Sequence, residues 1–200
     1  MKKVFLGLAV AVSSLTFAQQ FGVKAGANFS SISKDGDFAD TKGKTGFYAG
    51  VFMNAPLAEN FSIQPEVIYN NVGAKVSLNN IDTKLNLDYI SVPVMFQYNA
   101  TPEFYLEAGP QFSFLVNSKI KSDNQLVESV ANYFNSKDNY NSFDFGMGLG
   151  LGYNFTPNIG INARYVAGFT DLSKNGSVDV ANKDGKNRNN TFQVGLGFKF

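Results

Sequence analysis

Residues 143–155 read FDFGMGLGLGYNF, with Phe, Met, Leu or Tyr at every odd position and glycine at every even position from 146 to 152. A repeat of two is strand geometry, because successive side chains along a strand point to opposite faces. One face of this strand is therefore large and apolar, and the other is almost bare. A strand in a water-soluble sheet covers its outer face with charge, yet only 16 % of this chain is charged. The pattern fits a strand whose apolar face meets hydrocarbon and whose small-residue face lines a crowded interior.

The same alternation recurs eight times. Phe21 to Ser30, Phe47 to Met53, Phe61 to Asn70, Leu85 to Tyr98, Glu103 to Phe114, Phe143 to Phe155, Ile159 to Thr170 and Thr191 to Phe200 are the segments. Short links join segments 2–3 (PLAEN, 56–60), 4–5 (NATP, 99–102) and 6–7 (TPN, 156–158). Long polar stretches (31–44, 119–141, 171–190) join 1–2, 5–6 and 7–8, and a shorter polar link, 79–84, joins 3–4. Tight turns at one end and long loops at the other are the asymmetry of outer-membrane barrels. The expected fold is all-β: an eight-stranded antiparallel up-and-down transmembrane β-barrel with short periplasmic turns and longer external loops. Both chain ends of the mature protein then lie on the periplasmic side. Beyond residue 18 no apolar run approaches the roughly 20 residues of a spanning helix, so any membrane crossing uses strands.

Residues 1–18 form the expected cleaved signal peptide: Lys2 and Lys3 precede the apolar VFLGLAVAV, and small-residue spacing at Thr16-Phe17-Ala18 supplies the cleavage site. The barrel domain is then 19–200.

Histidine and cysteine are absent, which removes thiolate chemistry, disulfides, and the commonest general base and metal ligand. No basic patch supports a nucleic-acid partner. Lys24, Glu66, Glu107, Asp144, Arg164 and Lys199 all fall on the small-residue face. An eight-strand barrel is only just wide enough inside for side chains. Glycines on this face leave room for long groups from neighbouring strands, and six ionisable groups in a narrow tube must pair to be tolerated. Pro65, Pro93 and Pro110 sit inside strands and predict bulges or local irregularity. A change of parity within 85–98 predicts a bulge near Tyr89.

The chain resembles the small outer-membrane β-barrel (porin) family of Gram-negative bacteria, often labelled PorT-like. The resemblance is carried by FGVKAGANFS (21–30, with Gly22, Gly26 and Asn28), LDYISVPVMFQY (87–98, with Tyr89 and Pro93), FYLEAGPQFSFLV (104–116, with Ala108, Gly109 and Pro110) and VGLGFKF (194–200). It implies location in the cell outer membrane, with membrane lipid and the barrel-insertion machinery as partners. It also implies that Phe200, ending an amphipathic last strand, is the signal the insertion machinery reads.

Other motifs dissolve on inspection. Gly43-Lys44-Thr45 lacks the glycine five positions earlier that a phosphate loop needs, since Phe38 stands there. The 146–152 glycines lack the spacing of a dinucleotide fingerprint. Glu66 and Glu107 as an acid–base pair is weaker than their neutralisation by Lys24, Arg164 and Lys199. Asp35, Asp37, Asp40, Asp171, Asp179 and Asp184 lack calcium-loop spacing. Residues 125–134 (QLVESVANYF) have the spacing of a short amphipathic helix.

The expectation is a non-enzymatic integral outer-membrane protein without cofactor or metal, with a structural or surface-interaction role, loop-bound partners on the cell surface and at most a narrow pore. Two rivals stand beside it: a soluble lipocalin-like barrel binding an apolar ligand, which reverses the two faces, and an accessory subunit of a secretion or motility system.

Overall fold

The computed structural model describes residues 19–34, 42–78, 81–122, 141–171 and 187–200. The expected signal peptide, the 125–134 helix and most of the loop aspartates lie outside these residues. Eight strands follow in order: β1 (Gln20–Lys34), β2 (Lys42–Ala58), β3 (Phe61–Leu78), β4 (Ile81–Asn99), β5 (Phe104–Ser122), β6 (Phe143–Asn154), β7 (Ile159–Gly168) and β8 (Asn187–Lys199). Each is antiparallel to the next, and β8 returns to β1, with Gly22 opposite Lys199 and Lys34 opposite Asn187. Closure pairs every strand on both sides and leaves no open edge, as hydrocarbon requires. The strands run further toward the loop end than their alternation predicts, β4 and β5 reaching 19 residues each, well beyond the roughly 9–11 that cross a bilayer.

The apolar face points outward. Phe21, Val51, Val67, Phe96, Leu106 and Leu196 are exposed, and Leu149 is 68 % exposed. This overturns the lipocalin-like reading, which needs the same face inside. Paired rings form two belts. At the loop end Phe29 lies 6.5 Å from Phe192, Phe47 5.6 Å from Tyr69, and Phe114 5.6 Å from Phe143. At the turn end Phe61 lies 5.2 Å from Tyr98 and Phe198 5.5 Å from Phe200. Along β8 the belts are eight residues apart, about 27 Å of strand and about 20 Å of barrel height at the usual tilt, close to the ~25 Å apolar band of such barrels. Just above the loop-end belt the outer face turns polar: Asn71 and Asn117 donate to the two oxygens of Asp88 at 2.6 and 3.0 Å.

The prolines bring the local irregularity expected of them, without a bulge. Each keeps a pair on one flank (Pro65 with Val94, Pro93 with Gln111, Pro110 with Met147). On the other flank the ladder skips two pairs and resumes in the same register, as between Phe52–Glu66 and Ala55–Ile63. A proline lacks one donor, and that donor serves one neighbour only, so the interruption is local and one-sided. The ladder is irregular near Tyr89, as expected, but β4 itself keeps one phase. Leu87 and Tyr89 continue the inward phase of Ser91, Met95 and Gln97 and are buried. The irregularity at this level lies across the ladder on β5, where Asp88 faces Asn117 but Tyr89 faces Leu115, leaving Val116 as the extra residue.

Candidate functional site

The glycine face lines the lumen, and the rings of neighbouring strands occupy the space it leaves. A Cβ on Gly26 or Gly195 would run into Tyr48, one on Gly22 into Phe52, and one on Gly152 into Tyr105. Tyr48 lies across the barrel and donates its hydroxyl to Asn162 Oδ1 at 2.9 Å. Gly148 and Gly150 clear the middle: a Cβ there would sit 3.0 Å from Met95 Cε and 3.0 Å from Glu107 Oε1.

Into this cleared section four of the six charged residues converge. Arg164 on β7, 1 % exposed, grips Glu66 on β3 with both terminal nitrogens, Nη1 to Oε2 at 2.9 Å and Nη2 to Oε1 at 2.7 Å. Its Nε donates to Glu107 Oε1 on β5 at 2.7 Å. Lys24 on β1 donates to Glu66 Oε1 at 3.0 Å and Oε2 at 3.2 Å. Gln64 and Gln97 complete the shell, donating to Glu66 at 2.8 Å and to Glu107 at 3.1 Å. Two cations and two carboxylates cancel formally, and the bidentate guanidinium fork is the strongest geometry for such a pair. Such pairing offsets much of the cost of burying four charges.

The remaining two charges stand apart. Lys199 borders a small turn-end space with Lys24, Gln64 and Tyr105 and forms no ion pair among the described residues. Asp144 borders a loop-end space with Gln111, Ser113, Asn189 and Thr191. Each space is about 20 Å³, room for about one water centre. The ion cluster lies between them, and a second layer (Asn28, Asn70, Gln193, Ser91 and Ser113, linked by bonds of 2.8–3.3 Å) fills the loop-end side. The lumen is plugged. Its apolar inward groups, Tyr48, Phe52, Ile68, Leu87 and Met95, were legible only from parity: each sits at an inward position of its strand among polar neighbours.

Phe200 ends the chain on the outer face, 73 % exposed, and its N–H donates to Phe21 O at 2.8 Å.

Solved structures share this architecture. Neisserial surface protein A is 16 % identical with a TM-score of 0.55, covering 92 % of this chain and 100 % of its own. Ail, the attachment invasion locus protein of Yersinia pestis, solved with the heparin analogue sucrose octasulfate, is 16 % identical with a TM-score of 0.50 and the same coverage. At these identities the likeness is one of fold. No curated protein sequence matches the chain. The family model for the outer membrane protein β-barrel domain matches residues 17–174, and with eight closed strands, an outward apolar belt and a charged lumen the chain belongs to that family of outer-membrane barrels.

Proposed function

We propose that the protein is a non-enzymatic, plugged barrel whose work is done at the membrane surface by the long connections it holds, rather than through its interior. The observation that carries this is the Arg164–Glu66–Glu107–Lys24 cluster, which closes the tube at mid-height with each charged group hydrogen-bonded to one of opposite sign. Connections following β1, β5 and β7 are long and polar in sequence, and loops on a rigid scaffold are where contacts are usually made. The plugged lumen also gives the carboxylates Glu66 and Glu107 a structural task and leaves them no access to a substrate.

The test is planar-bilayer recording of the purified full chain beside an open porin. The plugged barrel gives no steady conductance, and a stable ohmic pore overturns the reading. Membrane lipid and the insertion machinery are the partners this reading requires, the latter reading the last strand through Phe200. Deleting Phe200 then lowers the amount of heat-modifiable barrel in the membrane fraction while the refolded protein keeps its stability. An accessory subunit would instead co-purify with a large envelope complex after gentle extraction.

A further inference from the structure

We infer that the loop-end space beside Asp144 is a binding site for one small monovalent cation of sodium's class. Three residues that border that space each carry a buried side-chain oxygen without a hydrogen-bond partner among the described residues: Asp144 Oδ1 on β6, Gln111 Oε1 on β5 and Asn189 Oδ1 on β8. All three residues are more than nine-tenths buried. Gln111 spends its amide nitrogen on Ser113 Oγ at 3.3 Å, which leaves its oxygen for the space. Gly146 and Gly168 line the same wall. A Cβ on Gly146 would press within 3.1 Å of Val166 Cγ1, and one on Gly168 would collide with the backbone of Asn189. A larger residue at either place would displace this wall.

What the site lacks is positive charge; the hydroxyls of Tyr89, Ser91, Ser113 and Thr191 border it, but none of them balances a carboxylate. Among the described residues no lysine or arginine borders the space; the basic groups of the mid-barrel cluster are committed to Glu66 and Glu107, and the buried Lys44 donates to Asn71 Oδ1 at 2.6 Å and Val72 O at 3.0 Å. Three occupants are small enough for about 20 Å³. A water molecule supplies two donors and no charge. A proton on Asp144 cancels the charge and supplies one donor, leaving an amide oxygen unmet. A bare hard cation cancels the charge and satisfies all three oxygens together, and buried charges and polar groups are strongly selected for such completion. The donor set is oxygen only, which suits hard ions. A single carboxylate balances a single positive charge, which selects a monovalent ion over calcium or magnesium. The hydroxyls of Ser113 and Thr191 border the same space as further oxygen ligands.

The experiment uses the refolded full chain in detergent micelles. The midpoint of heat-induced unfolding is read from the folded and unfolded gel bands in sodium chloride and in choline chloride of equal ionic strength. An ion bound only by the folded state raises stability with the logarithm of its concentration once the site saturates. The midpoint therefore climbs with each tenfold step in sodium and stays flat in choline. Asp144→Asn and Asn189→Ala each abolish the sodium slope, and sodium-23 resonance broadening by the wild-type barrel disappears with them. Equal midpoints in the two salts overturn the site. A sodium slope that survives both substitutions places the ion elsewhere and overturns it as well. A larger shift with calcium chloride than with sodium overturns the monovalent assignment. Asn189→Ala removes one neutral ligand, so the test stands even where Asp144→Asn fails to fold, and the wild-type salt comparison needs no variant.

Discussion

Replacing Arg164 by methionine isolates what the mid-barrel cluster contributes. The wild-type cluster has two positive and two negative groups; Arg164→Met leaves Lys24 against two carboxylates, a net charge of −1. Three charge-assisted bonds of 2.7–2.9 Å disappear, and Glu107 retains only Gln97 as a side-chain donor among the described residues. Stranding a buried charge in this way costs about 3–5 kcal/mol. The second substitution, Glu107→Gln, restores neutrality by leaving Lys24 opposite Glu66 at 3.0 Å. The double variant is therefore expected to lie within about 2 kcal/mol of wild type, because replacing a buried ion pair by neutral groups is close to energetically neutral while breaking it is not. Either substitution alone is worse than both together.

The chain has no Trp, so the assay is urea unfolding in lipid vesicles scored by the folded and unfolded gel bands. Distant sites add within about 0.5 kcal/mol. If the double variant loses the sum of the two single losses within that margin, Arg164 and Glu107 are not coupled and the cluster is not what neutralises the lumen. A loss under about 1 kcal/mol for Arg164→Met would refute the reasoning equally, since it would mean that water or another cation already reaches Glu107.

Further outcomes follow from other parts of the barrel. Arg164→Ala removes the group separating the two small spaces and leaves the centre negative, so bilayer recordings should show a small cation-selective conductance absent from wild type. Leu149→Arg places a charge on the mid-height outer face and should cost about 2–4 kcal/mol in vesicles, with the same urea and gel readout. Gly26→Ala forces a methyl group against Tyr48 and the backbone of Val194 and should cost about 1–3 kcal/mol as overpacking, measured by the same unfolding midpoint. Cysteine is absent from the chain, so single introduced thiols report orientation cleanly: Ser142→Cys on intact cells should react with an impermeant maleimide, and Ala100→Cys only after the envelope is opened.

Much of the barrel was legible because lipid and lumen impose opposite demands on alternate residues. The run from Phe143 to Tyr153 announces both demands, and the eight repeats with unequal links give the meander directly. Strand ends were less legible. β3 continues to Leu78 and β4 begins at Ile81, where Val76 and Leu78 still alternate with Lys75 and Ser77, and Ile81 and Leu85 with Asp82 and Lys84, but the charged and polar residues of strands that have left the hydrocarbon read as a link. The parity change in 85–98 was misleading for a related reason. Leu87 and Tyr89 are apolar yet point inward, where they pack in the interior beside the polar layer, so hydrophobicity there reports burial and not lipid contact.

The charged residues divide by what a strand pattern is able to express. Alternation assigns all six to one face, because facing is a local property of each strand. Who meets whom is a property of register and tilt around the closed sheet. Glu66 and Arg164 are 98 positions apart and belong to β3 and β7, which share no ladder. Gly148 and Gly150 clear the wall beside the Arg164 stem and the Glu107 carboxylate, which leaves the guanidinium room to reach across. Asp144 has the same parity in its strand as those two glycines, yet it lies nearer the loop end, beyond the reach of Arg164. Two carboxylates on one face thus receive opposite treatment: Glu107 is held within a neutral cluster, and Asp144 forms no ion pair among the described residues. That difference follows from height along the barrel axis, and it is why the plug and the proposed cation site are separate features of one lumen.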